Sequence, residues 1–137
     1  MAQLPSLENS LLVRTDFDDD DAWLELRAAV EEPNADGFMA NLEPVDDRAW
    51  RGADWTALRD AATAAGQHAE VLFVVDSPAL GPGYPVQVVD LADEARPPFR
   101  CLASQLWAVD NNLNLANMDW DEFADALDQD GVFCGFD

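Results

Sequence analysis

The 137-residue chain predicts a single α/β domain with a mixed sheet and four helices, an α+β arrangement being the nearest alternative. Three observations carry that expectation. In the first half, apolar segments of strand length alternate with amphipathic helical stretches, the pattern of parallel strands joined by crossover helices. Strand-like segments then follow one another with only turns between them, the pattern of hairpins. No internal repeat or linker divides the chain, and 49% of its residues are hydrophobic, enough for one core.

Residues 1–9 read as a flexible tail, which leaves 10–137 as the domain. Leu11-Leu12-Val13-Arg14-Thr15 is a short strand ended by Asp16-Phe17. A helix over residues 20–32 follows, with Trp23, Leu26 and Val30 on one face. Pro33-Asn34-Ala35-Asp36-Gly37 is a turn by composition. Phe38, Ala40 and Leu42 then alternate with Met39, Asn41 and Glu43, as in a half-buried strand over residues 38–45. Asp54 is placed to cap a helix whose apolar face is Trp55, Leu58, Ala62 and Ala65, and Gly66 ends it. Residues 71–75 are apolar on both faces, as a central strand is. A Pro/Gly loop at 77–85 precedes strands at 86–91 and 99–103.

The closing part holds two helices and a strand. Ser104 starts a short helix bearing Leu106, Trp107, Val109 and Leu113. Asp119 and Glu122 have capping-box spacing, and Trp120, Phe123, Ala124 and Leu127 share one face of the helix that follows. Asp128-Gln129-Asp130-Gly131 stops that helix before an edge strand at 132–136. Between the two helices a polar bend carries Asp110, Asn111, Asn112, Asn114 and Asn117. The element order is therefore β-α-β-α-β-β-β-α-α-β.

The run VDNNLNLANMDWDEFADALDQDGVFCGF at residues 109–136 resembles the closing segment of a family of short acidic bacterial proteins described as a domain of unknown function. LLVRTDF at 11–17 and LFVVD at 72–76 are similar to its earlier segments. The resemblance implies membership across nearly the whole chain; it implies no activity and no catalytic residue.

Charge narrows the function classes further. Twenty-eight acidic residues against seven basic ones give a net charge of -21, and every basic residue is arginine. Nucleic acid and anionic membranes both require cationic side chains, so neither is expected as a direct partner. A basic protein is expected instead, although the same bias also keeps a chain soluble at high salt. Cys101 and Cys134 form no metal motif, and no signal peptide opens the sequence, so the expected compartment is the cytoplasm with both thiols reduced.

No Gly-rich phosphate loop, nucleophile elbow or zinc spacing occurs, and the only histidine, His68, reads as an exposed loop residue; a Cys-His pair is geometrically possible, but no motif supports it. The preferred expectation is thus a non-enzymatic acidic binding module without a cofactor. It would be an immunity-type inhibitor or DNA mimic that docks on a basic partner. Its candidate contacts are Asp16, Asp18, Asp19, Asp20 and Asp21, with Asn111, Asn112, Asn114 and Asn117 beside Trp107 and Trp120. The alternative is a carboxylate site for Mg²⁺ or Ca²⁺ made by Asp16, Asp76 and Asp90, each of which directly follows an apolar strand. That layout resembles a response-regulator receiver domain, without the lysine on which phosphotransfer there relies.

Overall fold

The computed structural model describes residues 4, 9–66, 69–93, 96–114 and 118–135. Six strands, β1 (Ser10–Arg14), β2 (Leu42–Val45), β3 (Val71–Val75), β4 (Pro85–Asp90), β5 (Phe99–Leu102) and β6 (Val132–Phe133), form one sheet in the order β2-β1-β3-β4-β5-β6. Four α-helices connect them: α1 (Asp20–Glu31), α2 (Trp55–Ala64), α3 (Leu106–Asn114) and α4 (Trp120–Ala124). The element order is the one expected. β1 pairs in parallel with both β2 and β3, β4 runs antiparallel to β3 and β5, and β6 is parallel to β5.

Two cores lie on the two faces of the sheet. Leu12 of β1 and Phe73 of β3 pack with Trp23, Leu26 and Val30 of α1 and with Trp120 and Phe123 of α4. Leu11, Val13, Leu72 and Val74 pack on the other face with Leu58 and Ala62 of α2. The two crossover helices therefore cover opposite faces, and the chain is a three-layer α/β domain. Each strand is buried on both sides where it is central, which is why β1 and β3 are apolar at successive positions.

Local signals set most boundaries. The Asp19 side chain caps α1 by accepting the Ala22 N–H at 3.0 Å, and Asp54 caps α2 through the Ala57 N–H at 2.9 Å. Asp119 and Glu122 form the reciprocal capping box of α4. Gly66 follows α2 in the left-handed conformation, with φ of 72°.

Four expectations need correction. The strand expected over residues 38–45 is limited to Leu42–Val45, and Phe38 is 54% exposed and stacked on Trp107 with ring centroids 5.5 Å apart. The supposed bend from Asp110 to Asn114 is helical, being the second half of α3; Asn117 lies outside the described residues. α4 stops at Ala124, short of the expected Leu127, and the Asp128 carboxylate organises the following loop by accepting N–H bonds from Asp130 and Val132. Leu4, inside the expected tail, is buried in the core under α2.

A candidate binding cleft at the ends of the parallel strands

Because β1, β2 and β3 are parallel, the loops that follow them emerge on the same edge of the sheet. The chain passes from β1 outward to β2 and then back across β1 to β3, so β1 and β3 flank the point where strand order reverses. Open α/β sheets bind ligands in such crevices. Two depressions occupy this edge. The larger, about 770 Å³, lies between the β1–α1 loop and the loop after β2, lined by Arg14, Phe17, Asp20, Trp23, Leu24, Asp46, Asp47 and Arg48. The smaller, about 410 Å³, is bounded by residues 15–18, 51–54 and Asp76-Ser77.

Arg14 organises the larger cleft. It ends β1 with its side chain 4% exposed, and its guanidinium reaches out toward two loops. Nη2 donates to Asp20 Oδ1 at 2.6 Å, Nη1 to Asp46 Oδ1 at a longer 3.4 Å, and Nε to the Asp16 carbonyl at 2.9 Å. It also lies over the rings of Phe17 and Trp23, at 4.6 and 5.4 Å from their centroids. The Arg14 bond holds the Asp20 carboxyl below the usual aspartate range. One buried cation thus joins the ends of β1 and β2 to the start of α1.

The expected acidic cluster is present at this edge, and most of it has local structural work. Asp16 accepts the Asp18 N–H at 2.9 Å, Asp18 pairs with Arg51 at 3.0 Å, Asp19 is the α1 cap, and Asp20 is held by Arg14. Asp21 is exposed in the first turn of α1, where its charge favours the helix dipole. Sequence reasoning missed Asp46, Asp47 and Arg48. The signal was available, since Asp46 directly follows strand β2 as Asp76 follows β3.

The asparagines lie elsewhere. Asn111 donates to the Met39 carbonyl at 3.3 Å, and neighbouring Asp110, 4% exposed, accepts the Asn41 N–H at 2.8 Å. Both therefore hold the segment that enters β2, at the opposite end of the parallel strands from Asp16–Asp21. Asn112 bonds the Ala108 carbonyl of its own helix at 2.8 Å. Asn114 ends α3. The acids and the asparagines do not form one surface.

Nor do Asp16, Asp76 and Asp90 converge. β4 is antiparallel to β3, so Asp90 sits opposite Val71, at the start of β3, while Asp76 follows its end. Asp90 is 4% exposed, caps the turn through the Ala92 N–H at 2.8 Å and pairs with Arg96 at 3.1 Å. Asp76 is taken by Arg100 of β5 in two parallel bonds. Among the described residues no group of three or more His, Cys, Asp or Glu side chains is placed to hold a metal ion. Cys101 is fully buried, which pushes its thiol well above the ordinary range, and His68 lies outside the described residues.

A family model described as Domain of unknown function (DUF6924) matches residues 9–136. The chain belongs to this family. The DUF6924 match takes in all six strands of the sheet. No curated protein matches the sequence. Among the described residues of this DUF6924 domain, no helix is long and apolar enough to cross a membrane.

Proposed function

We propose that this chain is a non-enzymatic acidic binding module whose face beyond the ends of β1, β2 and β3 docks on a basic protein. The observation that supports this reading is the gathering of carboxylates on three loops at one edge. Residues 16 and 18–21 follow β1, Asp46 and Asp47 follow β2, and Asp54 and Asp76 complete the rim, against Arg14, Arg48, Arg51 and Arg100. A low-dielectric cleft wall between such charges focuses the field outward and draws cationic surfaces toward it. An inhibitor of a basic enzyme, whether immunity-type or a mimic of DNA, is the role that this surface suits. Cys101 and Cys134, which form no disulfide, suit a reducing cytoplasm.

The test starts from affinity capture in native lysate, with elution by rising salt to identify a basic protein. Association of that protein is then compared for wild type and for Asp18→Asn/Asp21→Asn, which leaves the α1 cap and the Arg14 contacts in place. The expected result is a several-fold slower association at low salt, with the difference vanishing as salt screens charges beyond about 8 Å. An unchanged association rate at low salt rejects the proposal.

A further inference from the structure

We infer that the cleft beside Leu24 is the anchor of that docking face, and that the partner it fits presents an apolar side chain flanked by lysines or arginines. The inference rests on the basic-partner reading above and makes its contact specific.

Leu24 is 58% exposed on the lip of the cleft, next to Phe17 and Trp23 in its wall. A leucine at this position of α1 contributes nothing to the buried stripe of Trp23, Leu26 and Val30. An incoming cation does not find an open aromatic cage here. Phe17 already carries the guanidiniums of Arg14 and Arg48 at 4.6 and 5.4 Å, and Trp23 carries those of Arg14 and Arg27 at 5.4 and 5.9 Å. What the cleft leaves open is therefore apolar contact with Leu24 on its lip.

The rim is built for the flanking charges. Asp20 and Asp46 each commit Oδ1 to Arg14, and Asp47 commits Oδ1 to the Ala49 N–H at 3.0 Å. The side chains of Asp20 and Asp46 remain 69% and 48% exposed. Each carboxylate is thus held in place by one oxygen while its other oxygen has no bond among the described residues. Fixed acceptors lose little freedom when a lysine or arginine arrives. Trp23, whose ring lines the cleft, has its indole N–H buried without an acceptor among the described residues. An exposed apolar side chain beside polar, preorganised acceptors combines the two kinds of contact that a protein-docking surface uses.

The experiment uses two capped peptides of equal positive charge. One has lysines around a central pair of leucines; the other has serines in place of the leucines. Titration calorimetry at low salt should show the leucine peptide binding about tenfold more tightly, the scale of one leucine side chain partly buried. Leu24→Ser should abolish that preference and leave the serine peptide unchanged, since Leu24 is exposed and the variant keeps its fold. In ¹⁵N spectra the Trp23 indole resonance should move with the leucine peptide and stay with the serine peptide. Equal affinities in the wild type, or a preference that survives Leu24→Ser, overturns the inference while leaving charge-driven docking standing. If neither peptide binds at low salt, the basic-partner reading fails and the inference falls with it.

Discussion

Arg100 grips Asp76 by two parallel hydrogen bonds, of 2.9 and 2.7 Å, and so ties the end of β3 to β5, which lies two strands away. The same Nη1 donates to the Pro85 carbonyl at 3.0 Å, so the start of the intervening strand is included. Asp76→Asn replaces one charged acceptor of this fork with a donor. It should destabilise the domain by about 1–2 kcal/mol in urea unfolding, between the values for an exposed and a buried pair. Because the carboxylate is already engaged, micromolar Mg²⁺ or Ca²⁺ should leave the melting temperature of the wild type unchanged. An ion-dependent rise that Asp76→Asn removes would restore the metal reading.

Arg14 is the cation on which the cleft depends. Arg14→Met should cost about 2–4 kcal/mol, because three polar contacts and the packing on Phe17 and Trp23 are lost together. Arg14→Lys keeps the charge, but a point cation on a flexible stem cannot serve Asp20, Asp46 and the Asp16 carbonyl at once. It should recover at most half of the loss. Guanidinium-chloride unfolding of the three proteins checks the ranking, with the slope of the transition unchanged.

Acid should weaken the fold through carboxylates that are hydrogen-bonded in the native state. Arg14 lowers Asp20, the Ala57 N–H lowers Asp54, and the Val132 N–H lowers Asp128. For a depressed carboxyl the stabilisation is fully present above the unfolded value, near ~3.9 for aspartate, and is lost as pH falls through the folded value. Protonation elsewhere relieves the mutual repulsion of a chain at -21 and acts in the opposite sense. Asp54→Asn separates the two effects, since asparagine caps a helix as well as aspartate and does not titrate. The variant should match the wild type at pH 7 and lose less stability between pH 5 and pH 3, as followed by thermal melts.

Tyr84 is the one described non-glycine residue with a left-handed backbone, at φ of 53°, and its hydroxyl donates to Glu25 of α1 at 2.7 Å. Tyr84→Phe removes the bond alone and should lower the melting temperature slightly at pH 7. The carboxylate raises the phenol above its ordinary range, so this contribution holds below pH 10 and disappears as pH rises through the folded value. Above that value Tyr84→Phe and wild type should become equally stable. Tyr84→Gly also relieves the backbone and should be less harmful than the sum of lost packing and lost bond predicts.

The fold was legible wherever its signals were local. Asp54 announces α2, Gly66 closes it, and the unbroken apolar run at residues 71–75 marks a strand covered on both faces. What sequence did not reveal depends on partners far along the chain. Asp76 looks like a spare carboxylate until Arg100, 24 residues on, is seen to take it. Asp90 closes β4 much as Asp76 follows β3, but strand direction decides which edge it reaches. The asparagines of α3 look like a recognition loop because their spacing is irregular, yet Asn111 and Asp110 satisfy backbone groups near β2 some 70 residues earlier in the chain, at sequence separations of 72 and 69. Phe38 alternates like a strand residue and is drawn out by Trp107. The candidate cleft was half legible: its first loop stood out by charge, while the loop after β2 was passed over as connection.

Pro44 sits within the four-residue strand β2, at one margin of the sheet, opposite Leu12. A proline is tolerated there because its missing N–H faces away from the neighbouring strand. The outward row of backbone donors on β2 is therefore interrupted in its middle, and the adjacent Glu43 is exposed and charged. A second chain approaching this margin meets neither a continuous hydrogen-bonding template nor a neutral one. The sheet ends at β2 by construction, and the protein can be concentrated without that edge seeding intermolecular β-structure.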